Sequence, residues 1–183
     1  MRIIGGTYRG KKLFSPTSGE VRPTADRARE SVFNIINSKI GGVWADFRLL
    51  ELFAGTGAFA FEALSRGVSE VCLVDIAPEN ARRNAGLFPK EKDKIRIIKG
   101  EASKLPAPVK KYNFLFSDAP YNKGLSVPAL TAASGKGWLE DGALCVVEIE
   151  KNEAFEVPGG FELIDERTYG VARFLFLRYL SNL

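Results

Sequence analysis

Apolar and polar positions alternate along the chain in a way that predicts a series of strands and helices. From Gly41 onward, short runs rich in β-branched residues are separated by stretches with helical spacing. The predicted strands are 49–53, 71–75, 95–99, 112–117 and 143–150. The predicted helices between them are 58–65, 79–88 and 127–134. This alternation predicts a mainly parallel sheet with helices on its faces.

The two ends of the chain depart from this alternation. Residues 161–168 and 172–180 both have strand character, and three residues between them leave no room for a crossover helix, so they predict an antiparallel hairpin. At the amino end we expect a short β-hairpin over 3–14 and a helix over 24–39, capped by Thr24. The expected fold is therefore an α/β sheet of seven strands with a C-terminal antiparallel hairpin strand and an N-terminal hairpin and helix extension.

Length and composition indicate one folded unit. The chain has 183 residues, of which 45% are hydrophobic and 26% charged, so we expect a single domain over 1–183. Because no apolar run approaches the roughly 20 residues of a membrane span and the first residues lack a signal-peptide core, we expect a cytoplasmic protein without a membrane partner.

The chain contains no histidine and only two cysteines, both in apolar runs. This composition excludes a serine–histidine triad, a histidine-ligated metal and a zinc cluster, so we expect no metal. We expect Cys72 and Cys145 to be small buried hydrophobic residues.

Positive charge is concentrated at the amino end. Residues 1–31 contain seven Lys and Arg against three Asp and Glu, whereas the remaining residues are balanced. A basic segment beside a neutral domain suits phosphate-backbone binding, although a similar excess also occurs on surfaces that bind nothing. We therefore predict that 1–40 is a basic arm and helix for RNA contact. The candidate RNA-binding residues are Arg9, Lys11, Lys12, Arg22 and Arg27.

A glycine-rich turn follows the first strand of the sheet, where the sequence runs Leu-Phe-Ala-Gly-Thr-Gly-Ala and a helix begins. Such turns let backbone amides approach a ligand closely. The spacing of Gly55, Gly57 and Ala60 also fits the dinucleotide fingerprint, and Asp75 at the end of the second strand suits ribose hydroxyls in either case. A glycine turn without a ligand is the remaining alternative.

Glu51 distinguishes the two cofactor classes. A carboxylate four residues before the first glycine would repel a pyrophosphate but suits the ammonium of a methionine moiety, so it favours S-adenosylmethionine. Glu101 follows the third strand at the same edge and is a candidate acceptor for an adenine amine or else a solvated loop acid. The candidate cofactor-binding residues are Glu51, Phe53, Ala54, Gly55, Thr56, Gly57, Asp75, Glu101 and Ala102.

The fourth strand ends in Asp118-Ala119-Pro120-Tyr121, the candidate catalytic residues. Methyl transfer to an aromatic amine needs acceptors that orient the nitrogen lone pair, and the Asp118 carboxylate with a backbone carbonyl at Asp118 or Ala119 can supply them. Tyr121 is expected to stack on the base, an interaction of about 1 to 3 kcal/mol. The alternative is a turn in which Asp118 only caps the next helix.

Over nearly its whole length the sequence resembles the bacterial 16S ribosomal RNA (guanine-N2)-methyltransferases. The resemblance rests on Arg2-Ile-Ile-Gly-Gly, Arg9-Gly-Lys, the segment from Arg22-Pro-Thr to Arg29-Glu, and Phe53-Ala-Gly-Thr-Gly-Ala. The amino-terminal blocks are the specific part. The parallel sheet ending in a hairpin likewise resembles the Rossmann-like fold of class I methyltransferases.

The resemblance implies S-adenosyl-L-methionine as the cofactor and a guanine in 16S rRNA as the target, in the small ribosomal subunit or an assembly intermediate. It implies cofactor roles for Glu51, Phe53, Gly55, Gly57 and Asp75. It also implies target-base roles for Asp118 and Tyr121. Ala119 stands where the family has its first proline. We expect activity to be retained, because the acid, the second proline and the ring remain.

Three other functions fit parts of the same pattern. An amine methyltransferase acting on DNA adenine or on a protein glutamine would use the same catalytic residues. A noncatalytic RNA-binding assembly factor would explain Ala119. A nicotinamide enzyme would use only the glycine turn.

Overall fold

The computed structural model describes residues 1–16 and 23–183, and in the second range it describes side chains from residue 26 onward. The α-helices of these ranges are α1 (Pro23–Lys39), α2 (Ala58–Arg66), α3 (Glu79–Ala85) and α4 (Ser126–Gly135). The strands are β1 (Arg48–Leu52), β2 (Glu70–Asp75), β3 (Ile95–Lys99), β4 (Tyr112–Asp118), β5 (Leu139–Glu150), β6 (Phe161–Tyr169) and β7 (Ala172–Tyr179).

All seven strands form one sheet in the order β3-β2-β1-β4-β5-β7-β6. Strands β1 to β5 pair in parallel, whereas β7 is antiparallel to both β5 and β6. The sequence prediction of a mainly parallel sheet with an antiparallel hairpin is confirmed. The chain proceeds outward from β1 to β3 and then returns to the other side of β1, which creates a topological switch point between β1 and β4. Ligands of open α/β sheets bind at the carboxyl ends of the strands at such a point.

Two apolar layers cover the two faces of this sheet. On one face, Phe59 of α2 stacks on Phe116 of β4 with ring centroids 3.6 Å apart, and Phe33 of α1 packs against Phe59. On the other face, Tyr112 stacks on Trp138 beside α4. Burial of these large rings excludes water from both faces and holds the strand ends in register.

The amino-terminal arm, residues 1–14, packs against α2. Glu62 of α2 is fully buried and accepts hydrogen bonds from the amides of Ile4 and Gly5, both at 2.8 Å, while Arg66 pairs with the same carboxylate at 2.9 Å. The Thr7 amide donates to the Ser65 carbonyl oxygen at 2.8 Å. The arm also forms the predicted short hairpin: Arg2 and Lys12 make an antiparallel bridge, and the Ile3 and Leu13 amides donate to the carbonyl oxygens of Lys11 and Met1, both at 2.9 Å.

Element boundaries differ from the predictions in several places. The predicted helix over 79–88 ends at Ala85, and a 3-10 helix at Pro89–Lys94 follows, because Gly86 and Pro89 interrupt helical hydrogen bonding. Strand β5 begins at Leu139, four residues before the prediction. Helix α1 begins at Pro23, one residue before the predicted start, and capping by the Thr24 side chain lies outside the described residues.

Candidate functional site

The candidate site lies at the switch point, where the loops after β1 and β4 emerge side by side. Leu52, the last residue of β1, is the register partner of Ser117 in β4 and of Val74 in β2. The glycine turn, Asp75 and Asp118 therefore reach the same edge of the sheet, as the sequence predicted.

The glycine turn takes a backbone shape that few residues adopt. Phe53 and Gly55 have φ of 57° and 55°, and Gly57 has φ of 75°. A Cβ atom on Gly57 would lie 2.6 Å from the Leu73 and Phe61 side chains, whereas one on Gly55 would meet nothing within 4 Å. Gly57 is thus required for close packing of α2 on β2, and Gly55 lies open on the ligand side.

Asp75 holds the turn in place. Its Oδ2 accepts a hydrogen bond from the Gly55 amide at 2.7 Å, and its Oδ1 accepts one from the Ala77 amide at 2.8 Å. The Ala54 amide donates to the Val74 carbonyl oxygen at 3.1 Å, which ties the turn to β2 a second time. The carboxylate is half-buried and retains lone pairs for further donors.

Glu51 is nearly inaccessible to solvent, with 3% exposure, and its Oε2 accepts a hydrogen bond from the Ala60 amide in the first turn of α2 at 3.0 Å. Burial raises the pKa of Glu51 well above its usual range, and the nearby charges of Asp118 and Asp75 raise it further. Glu51 therefore caps α2 at the base of the cleft. Its second oxygen has no hydrogen bond among the described residues.

Asn84 of α3 is a further anchor of the turn that the sequence analysis missed. Its fully buried amide donates to the Thr56 carbonyl oxygen at 2.9 Å and to the Phe14 carbonyl oxygen at 3.0 Å, and it accepts from the Phe14 amide at 2.7 Å. One side chain thus joins the glycine turn to the amino-terminal arm. A lone asparagine in a charged helix carries no sequence signal for this role.

Glu101 and Ala102 are close to the second strand but have other contacts. The Gly100 amide donates to the Asp75 carbonyl oxygen at 2.9 Å, which places this loop beside the end of β2. Glu101 is exposed and pairs with Lys104 at 2.9 Å, and the Ala102 side chain is buried in the core. The cofactor roles of Glu101 and Ala102 remain predictions.

Asp118 ends β4 beside Glu148 of β5, its register partner. Asp118 is exposed to solvent, but surrounding protein atoms displace much of its hydration. That loss of hydration, with the nearby Glu148 charge, raises the pKa of Asp118 to about 8. Helix α4 is preceded by Leu125 and has no side-chain cap, so Asp118 does not serve as that cap.

Tyr121 contacts the same glutamate. Its hydroxyl donates to Glu148 Oε1 at 2.7 Å, and burial together with this hydrogen bond raises the pKa of Tyr121, which keeps the hydroxyl protonated. Ala119 is buried and Pro120 is exposed. Glu148 was not predicted from the sequence, although a carboxylate directly after the apolar run 143–147 of β5 was a usable signal.

The residues of the cleft fit S-adenosylmethionine. An open glycine turn with left-handed backbone, a carboxylate with spare lone pairs at the end of β2 and a buried acid at the base provide acceptors for hydroxyls and an ammonium. The Asp75 carboxylate near the turn disfavours a pyrophosphate.

The predicted RNA-binding residues separate into two groups. Arg9 and Arg27 line one surface cavity of about 310 Å³ between the arm and α1, together with Arg2. Asp26 and Glu30 also line it, and Asp26 pairs with Arg2 at 3.3 Å. The cavity is therefore basic overall.

Lys11 and Lys12 do not line this cavity. The Lys11 ammonium donates to the Leu87 carbonyl oxygen at 2.9 Å and lies over the Phe88 ring, so it holds the arm on the protein. Lys12 is exposed. Arg22 lies outside the described residues.

A family model described as Conserved hypothetical protein 95 matches residues 1–178. The chain belongs to this family. Its match includes the arm, the glycine turn and the Asp118–Tyr121 segment.

Relatives in the family carry informative names. Ribosomal RNA small subunit methyltransferase D of Escherichia coli (strain K12) is 35% identical over 173 residues, which cover 93% of this chain and 85% of the relative. The protein of the same name in Haemophilus influenzae is 29% identical over 180 residues, covering 95% and 91%. The resemblance to small-subunit rRNA methyltransferases seen in the sequence is confirmed.

Solved structures agree on the fold. The candidate methyltransferase yhhF from Escherichia coli superposes with a TM-score of 0.83 at 30% identity, covering 99% of this chain and 98% of that one. A SAM dependent methyltransferase from Aquifex aeolicus has a TM-score of 0.60 at 16% identity, covering 83% and 89%. The fold is that of class I methyltransferases. Within the described residues, no helix has the length and apolar character of a membrane span.

Proposed function

We propose that this protein transfers a methyl group from S-adenosylmethionine to the N2 amine of one guanine in 16S rRNA, in the small subunit or an assembly intermediate in the cytoplasm. One observation carries the proposal. The glycine turn, which has the features of a methyl-donor site, lies at the same switch point as Asp118 and Tyr121. Leu52, directly before the turn, is the register partner of Ser117, directly before Asp118. The names of the relatives support rRNA as the acceptor.

The cofactor side of the cleft would be held by the turn at 53–57 together with Glu51 and Asp75. Asp75 supplies acceptors for ribose hydroxyls while fixing the Gly55 amide, and Glu51 supplies a carboxylate for an ammonium. When bound, S-adenosylmethionine would supply an electrophilic methyl carbon. Transfer would form an N–C bond and break the S–C bond, with S-adenosylhomocysteine as the leaving group and the amine proton passing to Asp118.

On the acceptor side, Asp118 receives an N–H of the target amine. As a carboxylate it accepts a hydrogen bond from the amine, which orients the nitrogen lone pair, and it stabilises the positive charge that develops on nitrogen. The Tyr121 ring is fixed by its bond to Glu148 and offers a face for stacking. Because the base must leave its helix to reach this edge, the enzyme flips it or acts where the RNA is open.

We assign RNA binding to residues 1–40. These residues belong to a single methyltransferase domain over 1–183. The basic cavity lined by Arg9 and Arg27 lies on the arm and α1. Contacts to phosphate there would position the RNA while the cleft recognises the base. Lys12 and Arg22 are further candidates in this assignment, and Lys11 contributes by anchoring the arm.

A transfer assay tests the proposal. Small subunits purified from cells that lack the enzyme are incubated with the protein and tritiated S-adenosylmethionine, and the labelled nucleotide is mapped. Label on one guanine at N2 is the expected result. Parallel reactions contain DNA or a protein substrate. Label on DNA adenine or on a protein glutamine, with none on the subunit, would show that the protein is an amine methyltransferase with another substrate. If the protein binds the subunit but neither transfers label nor binds S-adenosylmethionine, the protein is a noncatalytic assembly factor and the proposal is wrong.

A further inference from the structure

Glu148 lies in the acceptor half of the cleft and has no part in donor binding. It is the register partner of Asp118 on the neighbouring strand β5, on the side away from the glycine turn. The side chain is half-buried. It therefore sits where the ring of a base would extend beyond an amine held at Asp118.

Contacts of Glu148 leave one carboxylate oxygen available. Oε1 accepts the Tyr121 hydroxyl at 2.7 Å, whereas Oε2 has no hydrogen bond among the residues that the structure describes. In the same part of the chain, no Lys or Arg forms an ion pair with either Glu148 or Asp118. When both groups are ionised, two neighbouring carboxylates without a cation form a surface that offers only acceptors.

The bases differ in what they present to such a surface. Guanine carries the N1–H donor directly beside its N2 amine, so two adjacent donors lie on one edge. Adenine carries the N1 lone pair beside its amine, and cytosine carries the N3 lone pair beside its amine. A fixed carboxylate next to the amine acceptor is satisfied by guanine and is left unpaired by the other two bases.

We propose that Glu148 is a specificity-determining residue that selects guanine, with Oε2 accepting N1–H while Asp118 accepts from the N2 amine. The hydrogen bond from Tyr121 fixes the position of this carboxylate. This inference rests on the proposed function, because it concerns the base in the same cleft.

The test uses reconstituted small subunits that carry either guanine or 2-aminopurine at the mapped target position. 2-Aminopurine keeps the N2 amine but has a lone pair at N1. We expect the wild-type kcat/KM to fall about 10- to 100-fold on 2-aminopurine, because the Glu148 carboxylate then faces a lone pair. Rates within about threefold for the two bases would overturn the inference. Absence of transfer to guanine itself would instead refute the proposed function.

Substitutions of Glu148 and Tyr121 distinguish a role in base selection from a purely structural role. The amide of Glu148→Gln can donate to N1 of 2-aminopurine, so we expect the ratio between the two bases to fall to about threefold or less. This variant also corrects for any intrinsic difference in amine reactivity. Tyr121→Phe is the matched control: it keeps the carboxylate but removes the hydroxyl that fixes it, so we expect both rates to fall while the ratio between the two bases stays above about threefold. A ratio unchanged in Glu148→Gln, with the fold verified by thermal unfolding, would overturn the inference.

Discussion

At the residue scale, the site depends on carboxyl groups whose roles differ because their surroundings differ. Asp75 receives two backbone amides and shapes the donor side, whereas Asp118 receives none among the described residues and stands beside Glu148. Donor binding and amine recognition should therefore be separable by mutation.

We expect Asp118→Ala to lower kcat at least about 100-fold while the donor affinity stays within about threefold, because Asp118 acts on the acceptor amine. Asp75→Ala should weaken donor binding about tenfold or more, because the Gly55 amide loses its acceptor. Calorimetric titration with S-adenosylmethionine and single-turnover transfer measure the two quantities. The reverse pattern would show that the two sites are exchanged.

The pH dependence of transfer follows from Asp118. Lost hydration and the Glu148 charge raise the pKa of Asp118 to about 8, so the group is protonated below that pH and cannot accept the amine proton. Glu51 from β1 faces the same group. We expect kcat/KM to rise with pH and to level off above about 8, and the rise to move to lower pH in Glu148→Gln. A flat profile between about pH 6 and 9 would contradict this role.

At the scale of elements, the arm and α2 act as one unit. Buried Glu62 fixes the Ile4 and Gly5 amides, and the helix that carries it begins at the glycine turn. A Cβ atom on Gly6 would lie 1.9 Å from the Ser65 carbonyl oxygen, so the arm can approach α2 only through glycine.

Gly6→Ala should detach the arm, because the added methyl meets backbone that cannot move aside. We expect faster hydrogen exchange at the Thr7 and Tyr8 amides and about tenfold weaker binding to small subunits. Gly10→Ala is the matched control, since Gly10 also has positive φ but a Cβ atom there would meet nothing within 4 Å. Equal effects of the two substitutions would show that backbone strain, not arm packing, is responsible.

Sequence patterns predicted helices and strands well where the apolar residues followed a single helical or strand spacing. The strands from β1 to β4 and helix α2 agree with the prediction to within a residue at either end. The arm forms the hairpin that the sequence predicted, but its packing on α2 through Glu62 was not predicted. Those tertiary hydrogen bonds join residues far apart in the chain and leave no local pattern.

At the scale of the whole molecule, charge is unevenly placed about the sheet. The cavity lined by Arg9 and Arg27 lies between the arm and α1, whereas Lys110 and Lys111 lie at the opposite, amino edge of the strands. Binding of RNA phosphates should therefore depend on the arm and not on total charge.

Replacing Arg9, Lys12 and Arg27 with alanine should weaken binding to small subunits and lower the slope of log affinity against log salt by roughly 2 to 3, at about 0.9 per lost phosphate contact. Lys110, Lys111 and Lys136 replaced together form the control of equal charge, and their loss should leave the slope within about 1. Equal slopes for the two triple variants would place the RNA on another surface.

The sequence by itself determined the sheet, its hairpin end and the edge where the site forms, because apolar periodicity fixes strands and the carboxyl ends of parallel strands meet at one edge. Glu51, Asp75 and Asp118 could therefore be selected in advance. Only the tertiary structure decided that Tyr121 meets Glu148, 27 residues away, and that Glu62 holds Ile4, 58 residues away. Such contacts depend on which strands become neighbours and how closely helix and arm pack, and no local pattern of residues encodes either.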